Sequence, residues 1–149
     1  MAVPSYLRGL LALLAVACAR GSQIESVVKS YFELQAQGAC EAWADLFAPS
    51  FSVTDPHGTA PITSIATLKS ACSSANESFS EVNLEATAIF PLHSNDGAGA
   101  TWRCGSVTRA KGCVLDFGGV DTFAFDEKLR IVKVDGFFDV SLPEKQMQC

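Results

Sequence analysis

The sequence predicts a single α+β domain in which helices pack on a strongly curved antiparallel sheet. Three observations support this prediction. The chain has 149 residues, which is the usual length of one domain. Apolar residues recur at helical spacing in its first half, and beyond Ser80 they change to the two-residue alternation of strands. A sheet of this kind curls into an open cone with an apolar pocket at its mouth.

The composition is that of a folded protein without the excess of basic residues that favours binding to polyanions. Hydrophobic residues make up 48% of the chain and charged residues 18%, so enough apolar surface is available to form a core. The 11 basic residues are outnumbered by 16 acidic ones, and no run of Lys or Arg occurs. Nucleic acids and anionic membrane surfaces are therefore excluded as predicted partners.

Residues 1–19 are predicted to be a secretory signal peptide, followed by one domain over residues 20–149. Arg8 precedes a short apolar run over residues 10–17, and small residues up to Ala19 form the expected cleavage site. The run is too short to span a bilayer, so we expect no stable membrane span and a secreted or secretory-pathway protein. The alternative is a bacterial lipid anchor through Cys18.

Helices are expected first along the domain. In the earliest one, apolar side chains that include Ile24, Val28 and Tyr31 share one face, and Gly38 ends it. Pro49 is expected to end the second, and Thr63 or Ser64 to cap the third. The predicted helices cover residues 24–37, residues 39–48 and a segment that begins at Ile65.

Strands follow, separated by strong turn signals such as Asn95-Asp96-Gly97. In the first long strand, alternate residues from Val82 to Phe90 are expected to share one face. The predicted strands cover residues 51–55, residues 82–90, a segment with Trp102 and Cys104, residues 113–125 and residues 129–138.

Two aspartates interrupt the apolar face of the predicted strands. Asp55 has the parity of Val53, and Asp121 has the parity of Phe123, so the alternation turns both carboxyl groups inward. A bulge at the two glycines before Asp121 would reverse that second prediction. Buried carboxyl groups suggest chemistry, because desolvation raises their pKa and strengthens their hydrogen bonds.

Tyr31 adds a phenol to the apolar face of the first helix, so three polar groups are predicted to meet in one cavity. Each also has an ordinary structural interpretation. Tyr31 could be a core residue, Asp55 could cap the turn at Pro56, and Asp121 could accept bonds from backbone donors.

Three stretches carry a family resemblance: residues 31–38, residues 48–58 with Asp55-Pro56-His57-Gly58, and residues 120–126. In this order they resemble the ketosteroid isomerases and their SnoaL-like relatives in the nuclear-transport-factor-like superfamily. The resemblance covers nearly all of the predicted mature chain.

The resemblance implies an enzyme that needs no cofactor and shifts a double bond beside a carbonyl in a hydrophobic, steroid-like molecule. Asp55 would be the base, and Tyr31 and a protonated Asp121 would donate hydrogen bonds to the developing oxyanion. A non-catalytic binder of a hydrophobic molecule and a dimerisation module of the same fold are the alternatives, and a homodimer is expected. The predicted pocket wall consists of Val53, Leu84, Trp102, Phe117, Phe123 and Phe138.

Five cysteines remain after the predicted cleavage, so at least one thiol has no partner within the chain. Cys104 and Cys113 flank a turn-like stretch, and either a disulfide across it or two free thiols are expected. Asn76 begins an Asn-Glu-Ser glycosylation sequon. No cysteine or histidine spacing typical of metal ligands occurs, so no metal site is predicted.

Overall fold

The computed structural model describes residues 5–149, with side chains from residue 19 onward. The predicted signal peptide and the lipid anchor at Cys18 thus lie outside the described side chains. The elements are α1 (Ser5–Ala36), α2 (Cys40–Ala44), β1 (Phe47–Thr54), α3 (Ile65–Ser78), β2 (Phe79–Pro91), β3 (Gly97–Thr108), β4 (Val114–Phe125), β5 (Ile131–Phe137) and α4 (Ser141–Gln146). The predicted α+β order is confirmed, and α4 is an addition to it.

The five strands form one unclosed sheet in the order β1-β5-β4-β3-β2. Strands β2 to β5 pair antiparallel as predicted, whereas β1 pairs parallel with β5 at the edge. Helix α1 packs across β2 and β3 and closes one side of the concave face. This leaves the interior of the cone between α1 and the sheet.

The predicted buried face of α1 is confirmed. Ile24, Val28, Tyr31 and Phe32 are each at most 2% exposed. Gly38 follows the helix with a φ of +68°, the left-handed conformation that favours glycine at a helix end. The same helix thus supplies core packing and brings Tyr31 to the cone interior.

The predicted second helix is too long, and the expectation that Pro49 ends it is wrong. Helix α2 stops at Ala44, and β1 already begins at Phe47 and contains Pro49. A proline cannot donate to a sheet ladder, but β1 is an edge strand whose pairing with β5 is irregular between Phe47 and Ser52. Tertiary pairing therefore overrides the helical pattern here.

Phe90 does not face inward as the alternation in β2 predicts, because it is 59% exposed. The pairing of β2 with β3 shifts between Ala86 and Ala88, where two residues of β2 advance against one of β3. Such a bulge reverses the side-chain parity beyond it, so Ile89 packs against the core instead.

Both alternatives for Cys104 and Cys113, a disulfide between them or two free thiols, are wrong. Cys40 is bonded to Cys72, Cys113 is bonded to Cys149, and Cys104 is a free thiol. In the β3–β4 ladder Cys104 lies opposite Phe117, several residue pairs from Cys113, which lies beyond the end of that ladder. The expectation of at least one thiol without a partner is confirmed.

Candidate active site

A cavity of about 170 Å³ lies between α1 and the concave face of the sheet. It has an apolar wall and a small group of polar side chains, which is the usual composition of a ligand site. Its lining residues are Tyr31, Phe32, Gln35, Asp55, Leu84, Trp102, Cys104, Phe117, Asp121 and Phe138. All three residues that the sequence predicts as catalytic are among them.

Tyr31 enters this cavity from α1 and is held by aromatic packing. Its ring contacts Phe123 and Phe32 edge-on, with centroids 5.0 and 5.1 Å away. Burial raises the pKa of the Tyr31 phenol well above its ordinary value, and the charges of Asp121 and Asp55 raise it further. Tyr31 therefore remains a protonated hydrogen-bond donor at any physiological pH.

Asp121 projects from β4 into the cavity and is only 2% exposed. The β3–β4 pairing is continuous through Gly118 and Gly119, so no bulge reverses its predicted parity. Its Oδ1 atom accepts a buried hydrogen bond of 2.7 Å from the indole Nε1 of Trp102. Asp121 thus accepts its hydrogen bond from a side chain. The alternative interpretation, in which it accepts hydrogen bonds from backbone N–H groups, does not apply.

A glycine on β4 makes the bond between Trp102 and Asp121 possible. Gly119 lies opposite Trp102 in the ladder, and a Cβ atom at this position would be 2.6 Å from the indole Cζ2. Because that space is free, the indole lies over Gly119 and reaches Asp121, two residues further along the strand. This dependence on Gly119 was not recognised from the sequence.

Asp55 follows the end of β1 and reaches the cavity from the opposite side. The residue as a whole is exposed, but its Oδ1 atom lies against Gly136 of β5 so closely that a Cβ there would overlap it. The same Cβ would be 3.2 Å from Oδ1 of Asp121. The two carboxyl groups therefore border on one glycine, which leaves room for both.

The environment makes both aspartates weaker acids. Burial raises the pKa of Asp121 to about 7, the Asp55 charge contributing in the same direction and the Trp102 hydrogen bond opposing them. Burial also raises the pKa of Asp55, whose carboxyl group is desolvated although the residue is exposed. Because the charge of Asp55 disfavours ionisation of Asp121, the site can hold one ionised and one neutral carboxyl group.

Four of the six predicted wall residues line the cavity, and two do not. Leu84, Trp102, Phe117 and Phe138 lie on the wall, with the Phe138 ring 5.6 Å from Trp102 and 5.5 Å from Phe117.

Val53 and Phe123 belong to the core beneath the cavity instead, and each is 4% exposed. The Tyr31 ring packs edge-on against Phe123, while Val53 pairs with Val134 of β5 and bridges to Ile62. The alternation of the strands correctly predicted that both side chains point inward. It could not show whether they pack in the core or line the cavity.

Three lining residues were missed from the sequence: Phe32, Gln35 and Cys104. Gln35 lies one helical turn after Tyr31, and its side chain lowers the pKa of the Tyr31 phenol by hydrogen bonding. The spacing of four residues on α1 is the signal that would have identified it. Cys104 has the inward parity of Trp102, two residues before it on β3.

A larger groove of about 600 Å³ lies along β2, β3 and β4. Its charged residues Arg103 and Asp116 form a 2.9 Å ion pair with each other, and both side chains are more than half exposed. The buried polar side chain of this groove, Ser106, is 1% exposed and is hydrogen-bonded to Cys104. Because the groove has an exposed ion pair and no desolvated carboxyl group, we assign the functional site to the smaller cavity.

No cluster of three or more metal-ligating side chains occurs among the described residues. Within the same part of the chain, no helix is long and apolar enough to cross a membrane.

The fold and the site define a class of protein: an α+β cone whose interior holds a phenol and two buried carboxyl groups. A family model of the SnoaL-like domain matches residues 28–134. The chain belongs to the SnoaL-like family. Among curated proteins none matches the sequence.

Solved structures support the fold at low sequence identity. The chain is similar to the epoxide hydrolase/cyclase-like enzyme SalBIII, which has a role in pyran ring formation in the polyether salinomycin. The identity is 15%, the TM-score is 0.73, and the match covers 81% of this chain and 94% of that one. A candidate polyketide cyclase from Xanthomonas campestris pv. campestris has 15% identity, a TM-score of 0.75 and coverages of 85% and 98%.

A third similar structure contains a steroid derivative. It is a Mycobacterium tuberculosis protein in complex with estradiol-17β-hemisuccinate, with 16% identity and a TM-score of 0.69, and the match covers 78% of this chain and 93% of that one.

Proposed function

We propose that this protein catalyses proton transfer beside a carbonyl group in a hydrophobic small molecule, moving a carbon–carbon double bond into conjugation. The observation that carries this proposal is the convergence of Tyr31, Asp55 and Asp121 on one cavity. A cavity that only binds an apolar ligand has no use for two desolvated carboxyl groups, because their burial costs free energy.

The chemistry assigns one role to each group. The ionised Asp55 carboxylate removes a proton from the carbon between the carbonyl and the double bond, and the electron pair of that bond forms a dienolate. Tyr31 and protonated Asp121 donate hydrogen bonds to the dienolate oxygen. Asp55 then returns the proton two carbons away, and the carbonyl re-forms next to the shifted double bond.

The size of the cavity suggests how such a substrate lies. A volume of about 170 Å³ is close to that of an engineered cavity of about 150 Å³ that binds benzene. One ring of the substrate therefore fills the interior, and the rest lies at the mouth. A cyclic ketone with its reacting ring at one end, as in a 3-ketosteroid, meets this requirement.

The direct test is to incubate the purified protein with a β,γ-unsaturated 3-ketosteroid and a monocyclic β,γ-enone and to follow the absorbance of the conjugated enone. We expect conversion that saturates with substrate and disappears in the Asp55→Asn variant. Wild type that converts neither substrate, while it binds both, would contradict the isomerase assignment.

The second candidate function is non-catalytic binding of a hydrophobic molecule. It is favoured by the apolar wall of Leu84, Trp102, Phe117 and Phe138 and by the similarity to a protein bound to a steroid derivative. Fluorescence titration with a saturated ketosteroid tests it, because such a ligand binds without reacting.

We propose further that the protein is exported and that its mature N-terminus lies between Cys18 and Gln23. The two disulfides are consistent with an oxidising compartment. Arg20 donates hydrogen bonds to the main-chain carbonyls of Asn95, Asp126 and Glu127, so the packed domain begins close to the proposed cleavage site. The intact mass of secreted material tests this boundary, and retention of Met1 would contradict it.

Glycosylation of Asn76 remains a prediction. This residue lies in the last turn of α3. Its Nδ2 atom, to which a glycan would be attached, is half-buried and donates a hydrogen bond of 3.4 Å to Cys40 Sγ in the Cys40–Cys72 disulfide. A mass loss after glycosidase treatment of protein secreted from a eukaryotic host would demonstrate it.

A homodimer through the outer face of the sheet is also proposed. Val120 and Phe137 are paired across β4 and β5, and each is 42% exposed on this face. Sedimentation of wild type and of a Val120→Lys variant tests this, and a monomeric wild type would contradict it.

A further inference from the structure

We propose that Trp102 is the positioning residue of Asp121: its indole N–H occupies Oδ1 and leaves Oδ2 as the oxygen that carries the donor proton into the cavity. The donor role itself rests on the function proposed above. The orientation of Asp121 rests on the geometry of the described residues alone.

The first step is the hydrogen bond from Trp102 Nε1 to Asp121 Oδ1, which is buried and 2.7 Å long. Among the described residues it is the one hydrogen bond that reaches this carboxyl group. In a neutral carboxyl group the carbonyl oxygen is a much better acceptor than the hydroxyl oxygen, so the indole N–H favours Oδ1 as the carbonyl oxygen. The hydrogen bond thereby favours protonation at Oδ2.

The second step concerns how the indole is held. The Trp102 ring packs edge-on against Phe117 and Phe138, and it lies over Gly119, where no Cβ displaces it. A buried ring with three fixed neighbours presents its N–H in one direction. Asp121 therefore meets a preorganised donor, which is the condition for a carboxyl group to keep a single orientation during a reaction.

The third step is a comparison within the same core. The chain has two tryptophans. Trp43 is 5% exposed and Trp102 is 7% exposed, but the indole nitrogen of Trp43 has no hydrogen-bond partner among the described residues. The two residues have similar size and burial and differ in this bond, so Trp43 is a matched control.

Three other titratable groups lie near Asp121, and the charge of one of them, Asp55, raises its pKa. Tyr31 of α1, Asp55 after β1 and Cys104 of β3 share its cavity, whereas β5 places only Gly136 opposite it. The indole bond is the contact that favours the ionised form of Asp121 and opposes burial and the Asp55 charge. Its removal is expected to raise the pKa of Asp121.

The experiment is a pH titration of the Asp121 carboxyl carbon by NMR in wild type, Trp102→Phe and Trp43→Phe, which needs no substrate. We expect the midpoint of Asp121 to rise by about 1 pH unit in Trp102→Phe and to stay unchanged in Trp43→Phe. If isomerase activity is found, kcat of Trp102→Phe should fall about 10-fold and its alkaline limb should move to higher pH. An unchanged Asp121 midpoint in folded Trp102→Phe would overturn the proposal, whatever the outcome for catalysis.

A second measurement covers the case in which Trp102→Phe does not fold. In wild-type protein labelled with ¹⁵N-tryptophan, the Trp102 indole signal should titrate with the Asp121 midpoint and that of Trp43 should not. Asp121→Asn should abolish the titration of the Trp102 signal. A Trp102 indole signal whose chemical shift does not change as Asp121 ionises would also overturn the proposal.

Discussion

Asp121 lies directly opposite Gly136 in the β4–β5 ladder, and Asp55 reaches over that same glycine from the end of β1. The absence of a side chain at Gly136 is what allows two carboxyl groups to share one cavity. This relationship gives the site its chemistry, because each carboxyl group is desolvated by the environment that holds the other.

Replacement of Gly136 by alanine tests that relationship. The added Cβ would overlap Oδ1 of Asp55, which must turn away, and isomerase activity should fall at least about 10-fold. Folding should persist because a flexible carboxyl group yields more easily than backbone. Gly99→Ala is the control, since nothing lies within 4 Å of its Cβ position. Equal activity of both variants would contradict the proposed geometry.

Substitution of the base and of the phenol should separate binding from chemistry. A general base contributes about 10²–10⁴-fold to rate, so Asp55→Asn should lose most turnover. It should bind a saturated ketosteroid at least as tightly, because a carboxylate has left the apolar cavity. Tyr31→Phe should also slow turnover with little change in thermal stability, since its ring packing is retained. Full activity of Asp55→Asn would show that the base is misassigned.

The isomerase rate should have a bell-shaped dependence on pH. It should rise as Asp55 ionises at its raised pKa and fall as Asp121, with a pKa of about 7, loses its donor proton. Asp121→Asn should lose the alkaline limb, because an amide donates a hydrogen bond at every pH. Asp121→Ala should be slower than Asp121→Asn, and the reverse order would contradict the donor role.

Burial of Asp121 should also make folding stability pH-dependent. Its pKa is raised from 3.8 to about 7 on folding, so the folded state binds the extra proton between these values. The contribution of protonated Asp121 to folding stability is therefore fully present below pH 3.8 and is lost as the pH rises through about 7. The loss is on the order of 4 kcal/mol of unfolding free energy.

Urea denaturation of wild type and Asp121→Asn at several pH values measures this contribution. The stability of wild type relative to the variant should decline as the pH rises. A constant difference across the window would mean that Asp121 is not desolvated.

Cys104 provides a probe of cavity occupancy. It is the one free thiol among the described residues and lies on the cavity wall. Burial raises its pKa and thus slows alkylation. A bound saturated ketosteroid should slow alkylation by iodoacetamide at least about 5-fold more, as measured by intact mass. Unchanged labelling at saturating ligand would place the ligand elsewhere.

The sequence by itself determined the order of the elements, the buried face of α1 and the inward parity of Asp55 and Asp121. These features follow from local periodicity, and the family motifs agreed with it. The prediction that Asp121 points inward was correct because the β3–β4 pairing continues through Gly118 and Gly119 without a bulge.

Only the tertiary structure decided which inward residues reach the cavity and what they bond there. Phe123 and Val53 pack in the core, whereas Cys104 and Gln35 line the cavity. The side chain of Phe90 points outward because a bulge precedes it in β2. Disulfide partners and the bond from Trp102 to Asp121 join residues that are distant in the chain. Alternation fixes the face on which a side chain lies, but depth, register and cross-strand neighbours depend on how the whole sheet pairs.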